Sequence, residues 1–323
     1  MASPNVIFNN LVTTTLKNRS KDIADDVTKH NALYRRLSER RNTRKLDGGT
    51  SIVKALEYAE NGTYQRYSGY DVLDIGASEV LSAAEYPWRN IALNVVSSGE
   101  ELRKNSGQSR VYDLVRQKMR NAINTFKNRF SEDLYSDGTA ANQINGLQAI
   151  ISDTGGGILG GIDAGQWDFW KNQVQSAAAP IGGGAAVALD ADHIEGLMRD
   201  LWIACTRGGD TPDLIVASPD LYSLFEESQV SMKRYTSSRD ANGGFSGLKY
   251  KNADVVWDTA DVIPPQHMYF INTTYLELAV HRDANLAVQD EKVPVNQDAV
   301  VVPVLWMGNL CCSNRARQGV LKA

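Results

Sequence analysis

Apolar and polar positions change rhythm several times along this chain, and each rhythm predicts an element. Over residues 17–45 apolar residues are sparse. Ile23, Val27 and Leu37 make only a weak helical stripe, which predicts an arm draped over a surface rather than a body with its own core. From residue 50 the period becomes two. Residues 50–58 and 88–96 both alternate and predict two extended strands. Between them lies a polar tip rich in Tyr and Gly (Asn61-Gly62-Thr63-Tyr64-Gln65-Arg66-Tyr67-Ser68-Gly69-Tyr70). The expectation is a long hairpin over 50–98 with too few apolar residues to bury both faces, so that another surface must hold it.

A helical period follows. Val111, Leu114, Val115, Met119, Ala122, Ile123, Phe126, Phe130 and Leu134 recur every three or four residues, predicting one amphipathic helix of about 25 residues that starts near Ser109. Arg110, Arg116, Lys118, Arg120, Lys127 and Arg129 decorate its other faces, and Gly138 suits a left-handed cap at its end. Such a helix beside an unsupported hairpin is a framework member rather than a catalytic platform. Residues 153–186 read as Gly-, Ala- and Ser-rich loops around Trp167-Asp168-Phe169-Trp170.

A compact α/β region comes next. Asp192 and Glu195 suggest a capping box for a helix carrying Ile194, Leu197, Met198, Leu201, Trp202 and Cys205, closed by Gly208-Gly209. Residues 213–217 predict a buried strand. Ser218 and Pro219 then supply N-cap and first turn to a helix through Leu221, Leu224 and Phe225. Residues 251–289 are mostly strand, interrupted over 258–266, and residues 299–315 are a long apolar strand or pair of strands. The chain leaves one body, builds another and returns.

Composition narrows the function class. The chain has 323 residues, 42% hydrophobic and 22% charged, with net charge −4, which argues against a surface that wraps nucleic acid throughout. Its odd set of cysteines, Cys205, Cys311 and Cys312, suggests a reducing compartment. No secretory signal is visible and no apolar run approaches the ~20 residues needed to span a bilayer. The sequons at Asn61 and Asn272 therefore read as chance. The arm is an exception to the acidic balance: Lys17, Arg19, Lys21, Lys29, Arg35, Arg36, Arg40, Arg41, Arg44 and Lys45 outnumber Asp22, Asp25, Asp26 and Glu39. An arm of that kind reads as flexible or surface-draped, or more sharply as one that lies on neighbours or on nucleic acid.

Candidate chemistry thins out on inspection. The Gly runs at 155–161 and 182–184 lack the following Lys of a phosphate loop. His30, His193, His267 and His281 are scattered, with no His-Glu-x-x-His pair for zinc, and no Gly-x-Ser-x-Gly elbow exists. Asp220, Glu226, Glu227 and Asp240 read as solvated surface carboxylates. The expectation is no enzyme, no cofactor and no metal.

In this order the elements resemble the HK97-type capsid fold of tailed bacteriophages, an α+β fold, across nearly the whole chain. The basic arm resembles the family's N-arm and residues 50–98 its extended hairpin, the E-loop. The 109–136 helix resembles the spine of its peripheral (P) domain, and Ser136-Asp137-Gly138-Thr139 with Gly146-Leu147 is similar to the turn after that spine. Residues 192–219 and the helix that follows resemble the helix–strand–proline–helix core of its axial (A) domain. Residues 252–256, 263–265 and 268–272 look like the later strands of that domain, and 300–310 like the P-domain return strand. The resemblance implies an N-arm over 1–48, an E-loop over 49–98, a P domain over 99–154 and 289–323, and an A domain over 155–288.

It also implies a major capsid protein that forms pentamers and hexamers and closes an icosahedral head around double-stranded DNA, assembled in the host cytoplasm. Scaffolding, portal and cement proteins would be partners, the DNA contact nonspecific, and no membrane involved. No large scaffolding-like region precedes the arm, which implies a separate, cleaved or absent scaffold. Some relatives cross-link a Lys to an Asn; Lys54 lies in the right region, but neither an acidic catalyst nor a partner Asn can be placed. Tyr64, Arg66, Tyr67 and Tyr70 at the hairpin tip are candidate contact residues, because Tyr and Arg combine area with directed polar contacts. Arg35, Arg36, Arg40 and Arg41 are candidates in the arm. The alternatives are an encapsulin-like compartment shell that packages protein cargo, and a hydrolase or binding protein on an α/β domain.

Overall fold

The computed structural model describes residues 32–104, 114–229, 248–258 and 262–323. Readings that rest on the basic residues before residue 32, on Ile23, Val27 and His30, on residues 109–113 and on Asp240 lie outside them. In chain order the elements begin with α1 (Ala32–Glu39), β1 (Thr43–Leu46), β2 (Ser51–Glu57), β3 (Leu81–Pro87), β4 (Arg89–Ser98), α2 (Gly99–Lys104), α3 (Leu114–Tyr135) and α4 (Leu147–Ile150). Next come β5 (Ile158–Leu159), β6 (Ile162–Asp163), β7 (Gln173–Ser176), α5 (Ile194–Cys205), β8 (Leu214–Ala217), α6 (Pro219–Gln229), β9 (Leu248–Tyr250) and β10 (Ala253–Trp257). Last are β11 (His267–Ile271), β12 (Leu276–His281), β13 (Ala287–Val288), β14 (Ala299–Cys312) and β15 (Gly319–Lys322). They form two compact units. One gathers Met1–Gly48, Trp88–Gly146 and Leu278–Leu310, the other Gly49–Pro87, Leu147–Glu277 and Cys311–Ala323.

The first unit is organised by β14, a nearly continuous apolar strand of the kind that is covered on both faces. It lies between β12 and β13 in a sheet that β1 extends at the β12 side, and β4 pairs antiparallel with it from Ser98↔Ala299 to Arg89↔Gly308. The expected helical stripe exists in α3: Phe126, Phe130 and Leu134 are buried. Phe126 stacks on Phe130 at 5.2 Å, and Phe130 meets Trp306 of β14 edge-on at 5.1 Å. Gly138 takes φ +69 not as the cap itself but in the turn beyond the helix, where Asp137 Oδ1 accepts from the Thr139 amide at 3.1 Å. From Ala32 on, the arm is better anchored than its sparse apolar content suggests. Leu33, Tyr34 and Leu37 of α1 are buried, and Tyr34 packs edge-on against Phe130 at 5.7 Å.

The pairing of β4 with β14 corrects the expected hairpin. Its return strand is β3, not the 88–96 stretch: Ser51↔Pro87 through Glu57↔Leu81 is the register of β2 with β3. Residues 81–87 satisfy the alternating pattern too, though two alanines, poor strand formers by propensity, weaken it. Yet Ala84 and Tyr86 face inward opposite Lys54 and Ile52.

The second unit holds a six-stranded mixed sheet in the order β7-β15-β11-β8-β10-β9. All four residues of β8 are buried. Ile194, Leu197, Met198, Leu201, Trp202 and Cys205 of α5 pack with Leu221 and Phe225 of α6 over Ile215, Val255, Phe270 and Leu321 of the sheet. Each such side chain contributes ~1.5–3 kcal/mol on burial. Two cap expectations need correction. The side chain that caps the turn into α5 is Asp190, whose carboxylate accepts from the His193 amide at 3.0 Å, because the chain enters through a turn at Asp190 rather than at Asp192. Ser218 precedes α6 as expected, but its buried Oγ has no hydrogen-bond partner among the described residues. Two strands were also missed. β7 lies inside the segment read as loop, and β15 follows the long apolar strand and pairs with β7 and β11.

Candidate functional site

The hairpin's base is seated on its own chain. Along β2 and β3 one face is buried and the other exposed, with Ile52, Lys54, Leu56, Ala84 and Tyr86 inward. Three contacts hold it. The Glu85 amide donates to the Gly160 carbonyl at 2.9 Å. The Tyr86 hydroxyl donates to the Cys312 carbonyl at 2.8 Å and accepts from the Cys312 amide at 3.3 Å. Lys54 Nζ forms a largely buried ion pair with Glu277. Gly160, at φ +59, has no room for a side chain, since a Cβ there would lie 2.8 Å from that of Ala84. Burial drives the Tyr86 phenol well above its ordinary range, so it stays a neutral donor. The other surface expected to hold the hairpin over residues 50–98 is, for its base, the chain itself, so no adjacent copy is needed there; the tip lies beyond that support.

At the base Tyr58 stands 5.8 Å from both Trp167 and Phe169, so the aromatic segment singled out in the sequence props the hairpin. Beyond it, residues 59–80 form no strand or helix. Local hydrogen bonds shape this tip. Asn61 Oδ1 accepts from the Thr63 amide at 3.0 Å and from the Ser78 hydroxyl at 3.2 Å, and Asp71 accepts from the Ser68 amide at 2.8 Å. Gln65 Nε2 donates to the Val72 carbonyl at 3.1 Å. All four predicted contact residues, Tyr64, Arg66, Tyr67 and Tyr70, are exposed, Tyr70 completely. Three more were passed over: Val72, Leu73 and Ile75 are exposed, Val72 and Ile75 at 91% and 94%. The signal in the sequence is Asp71-Val72-Leu73-Asp74-Ile75, three apolar residues interleaved with two aspartates.

In the first unit, the arm candidates sit where α1 turns into β1. Arg35, Arg40 and Arg41 are exposed and Arg36 is half-buried. The helix ends with the Asn42 amide donating to the Leu37 carbonyl at 2.8 Å and the Arg41 amide to that of Ser38 at 3.0 Å, the pattern of a Schellman turn. Its left-handed position, φ +57, is filled by Arg41 where glycine is usual, at a cost of roughly 1–2 kcal/mol. Arg44 and Lys45 of β1 are exposed beside it, and among the described residues β1 ends its sheet.

Elsewhere titratable groups serve structure. The His267 ring bonds Asp153 at 3.0 Å and the Pro265 carbonyl at 2.7 Å. That bond lowers the Asp153 carboxyl and raises the His267 ring. Burial pushes the Cys205 and Cys312 thiols up to about 12 and raises Cys311, so none supplies a thiolate near neutrality. Buried Arg315 donates to the carbonyls of Ile150, Gly157 and Gly156 at 2.5, 3.2 and 2.9 Å, fixing the glycine run as a loop. Among the described residues no group of three His, Cys, Asp or Glu gathers to hold a metal, and no described helix is long and apolar enough to cross a membrane.

Comparison with known proteins completes the picture. The family of SU10 major capsid proteins matches residues 95–323. No curated protein sequence matches the chain. Among solved structures it resembles the capsid of cyanophage A-1(L), with 15% identity over 87% of this chain and 90% of that one, TM-score 0.59. The capsid of an empty GTA particle gives 13% identity over 100% and 95%, TM-score 0.58. The SrpI encapsulin of Synechococcus elongatus gives 12% over 86% and 83%, TM-score 0.54.

Proposed function

Because the chain belongs to the SU10 major capsid protein family, we propose that each copy locks into its shell by lapping its hairpin tip onto an adjacent copy. The chain is a shell-forming phage capsid protein with the HK97-type fold, and its role is structural. The observation that supports the lapping is the tip itself. A base fixed on its own subunit carries Val72, Leu73 and Ile75 into solvent together with Tyr64, Tyr67 and Tyr70. So many exposed large apolar and aromatic side chains in one short segment are characteristic of an interface.

In this reading residues 1–48 act as N-arm, 49–98 as E-loop, 99–154 and 289–323 as P domain, and 155–288 as A domain. Pentamers and hexamers close an icosahedron around double-stranded DNA in the virion, assembled in host cytoplasm with scaffolding, portal and cement proteins. Arg35, Arg36, Arg40 and Arg41 take contacts from neighbours. The encapsulin-like alternative carries less weight, because the encapsulin likeness at 12% identity concerns the fold alone, whereas the matching family is one of major capsid proteins.

Negative-stain microscopy and sedimentation of the purified chain test this reading. Shells, tubes or capsomers are expected. A monomer that persists at high concentration, with or without scaffold, overturns it.

A further inference from the structure

Two segments of this chain present exposed side chains of opposite charge. Residues 32–48 hold six basic side chains against Glu39 and Asp47, a net of +4. Residues 59–80 hold Glu60, Asp71, Asp74 and Glu79 against Arg66, a net of −3, all of them exposed, with Glu60 3.4 Å from Arg207 of its own chain. On a chain of net charge −4 the basic corner is a concentrated exception.

From this we propose that the α1–β1 corner is the receptor for the acidic hairpin tip of an adjacent copy. The inference rests on the shell reading and deepens it by naming the receiving surface. The corner presents Arg40, Arg41, Arg44 and Lys45 on a fixed frame, since Leu33, Tyr34 and Leu37 bury the helix behind them. Arg41 occupies a backbone position that glycine fills at lower cost, as expected where the side chain itself is used. β1 ends its sheet among the described residues, and residues 71–75 of the tip form no strand with their own chain, so one can lie along the other. Asp71 and Asp74 each accept one amide from their own turn, Ser68 and Gly76, which sets the carboxylates in place while leaving their charge outward. Complementary potential gives register and encounter rate, and the apolar Val72, Leu73 and Ile75 add area.

Charge reversal in the full chain tests this. D71K/D74K and R44E/K45E alter exposed residues, so folding, followed by circular dichroism and melting, is expected to be unchanged. Each is expected to raise the protein concentration needed for assembly by about tenfold or more. The chain carrying all four changes is expected to recover most of that loss. Raising salt from about 0.15 M to 1 M shortens the screening length from about 8 to 3 Å and is expected to weaken wild-type assembly while affecting the single-site variants less. Wild-type shells that form equally well with either reversal sink the receptor assignment and leave the capsid reading standing. So does a four-change chain no better than the worse of its parents. A corner-reversed chain that assembles normally yet retains no nucleic acid overturns the proposal in favour of a polyanion contact. Salt-sensitive small oligomers with full rescue, but no shells, uphold the contact and sink the shell reading. A wild type that never associates overturns both.

Discussion

At the scale of single residues, the instructive groups are polar ones held inside or at the rim. The pair of His267 and Asp153 joins the start of β11 to the loop before the glycine run, and its contribution depends on pH in a definite direction. The ring is raised above its ordinary 6.5, so its contribution is present below that value and lost as pH rises through the raised one. The carboxyl is lowered from 3.8, so its contribution is present above that value and lost as pH falls through the lowered one. Between about pH 4 and 6.5 both are in force. Asp153 is 46% exposed and solvent screens the pair, so no more than about 1 kcal/mol is at stake. Urea unfolding at about pH 5.5 and 8.5 should show the wild type losing stability at the higher pH and D153N losing less. Neither residue was legible as a pair from sequence, because 114 positions separate them and only the fold brings them together.

At the scale of elements, the hairpin separates into a base that belongs to the subunit and a tip that does not. Replacing residues 61–78 by a two-residue Asn-Gly turn is expected to keep the melting temperature within a few degrees, since the tip's hydrogen bonds are local. Assembly, scored by sedimentation, is expected to be abolished. A loss of folding would place the tip inside the subunit's own structure after all. The hairpin's existence and its tip were readable from period-two alternation and turn residues. Its return strand was not, because both 81–87 and 88–96 satisfy the same pattern, and nothing local decides which of them joins β2 and which joins β14. Long helices fared better. The stripe of Phe126, Phe130 and Leu134 fixes a buried face by itself, and α5 and α6 were read from their own apolar spacing. Short strands such as β7 carry too few residues for a period to show.

At the scale of the whole molecule, succession of elements was enough to indicate the capsid fold, because arm, hairpin, long helix and α/β body follow one another in order. What succession did not disclose is how far apart in sequence the partners of one sheet lie. β15 is an interior strand, parallel to β7 on one side and antiparallel to β11 on the other. Val320 and Leu321 are fully buried there, each contributing ~1.5–3 kcal/mol. Deleting residues 319–322 also bares the edges of two strands, so the shortened chain is expected to be insoluble or largely unfolded, measured as soluble yield and by circular dichroism. A folded, soluble truncation would contradict the sheet order. This placement also has a temporal consequence. While a nascent chain is still emerging from the ribosome, β7 has no strand to pair with and must wait for residues made well over a hundred codons later. The six-stranded sheet of each new copy is thus completed only once residues 319–322 have left the ribosome.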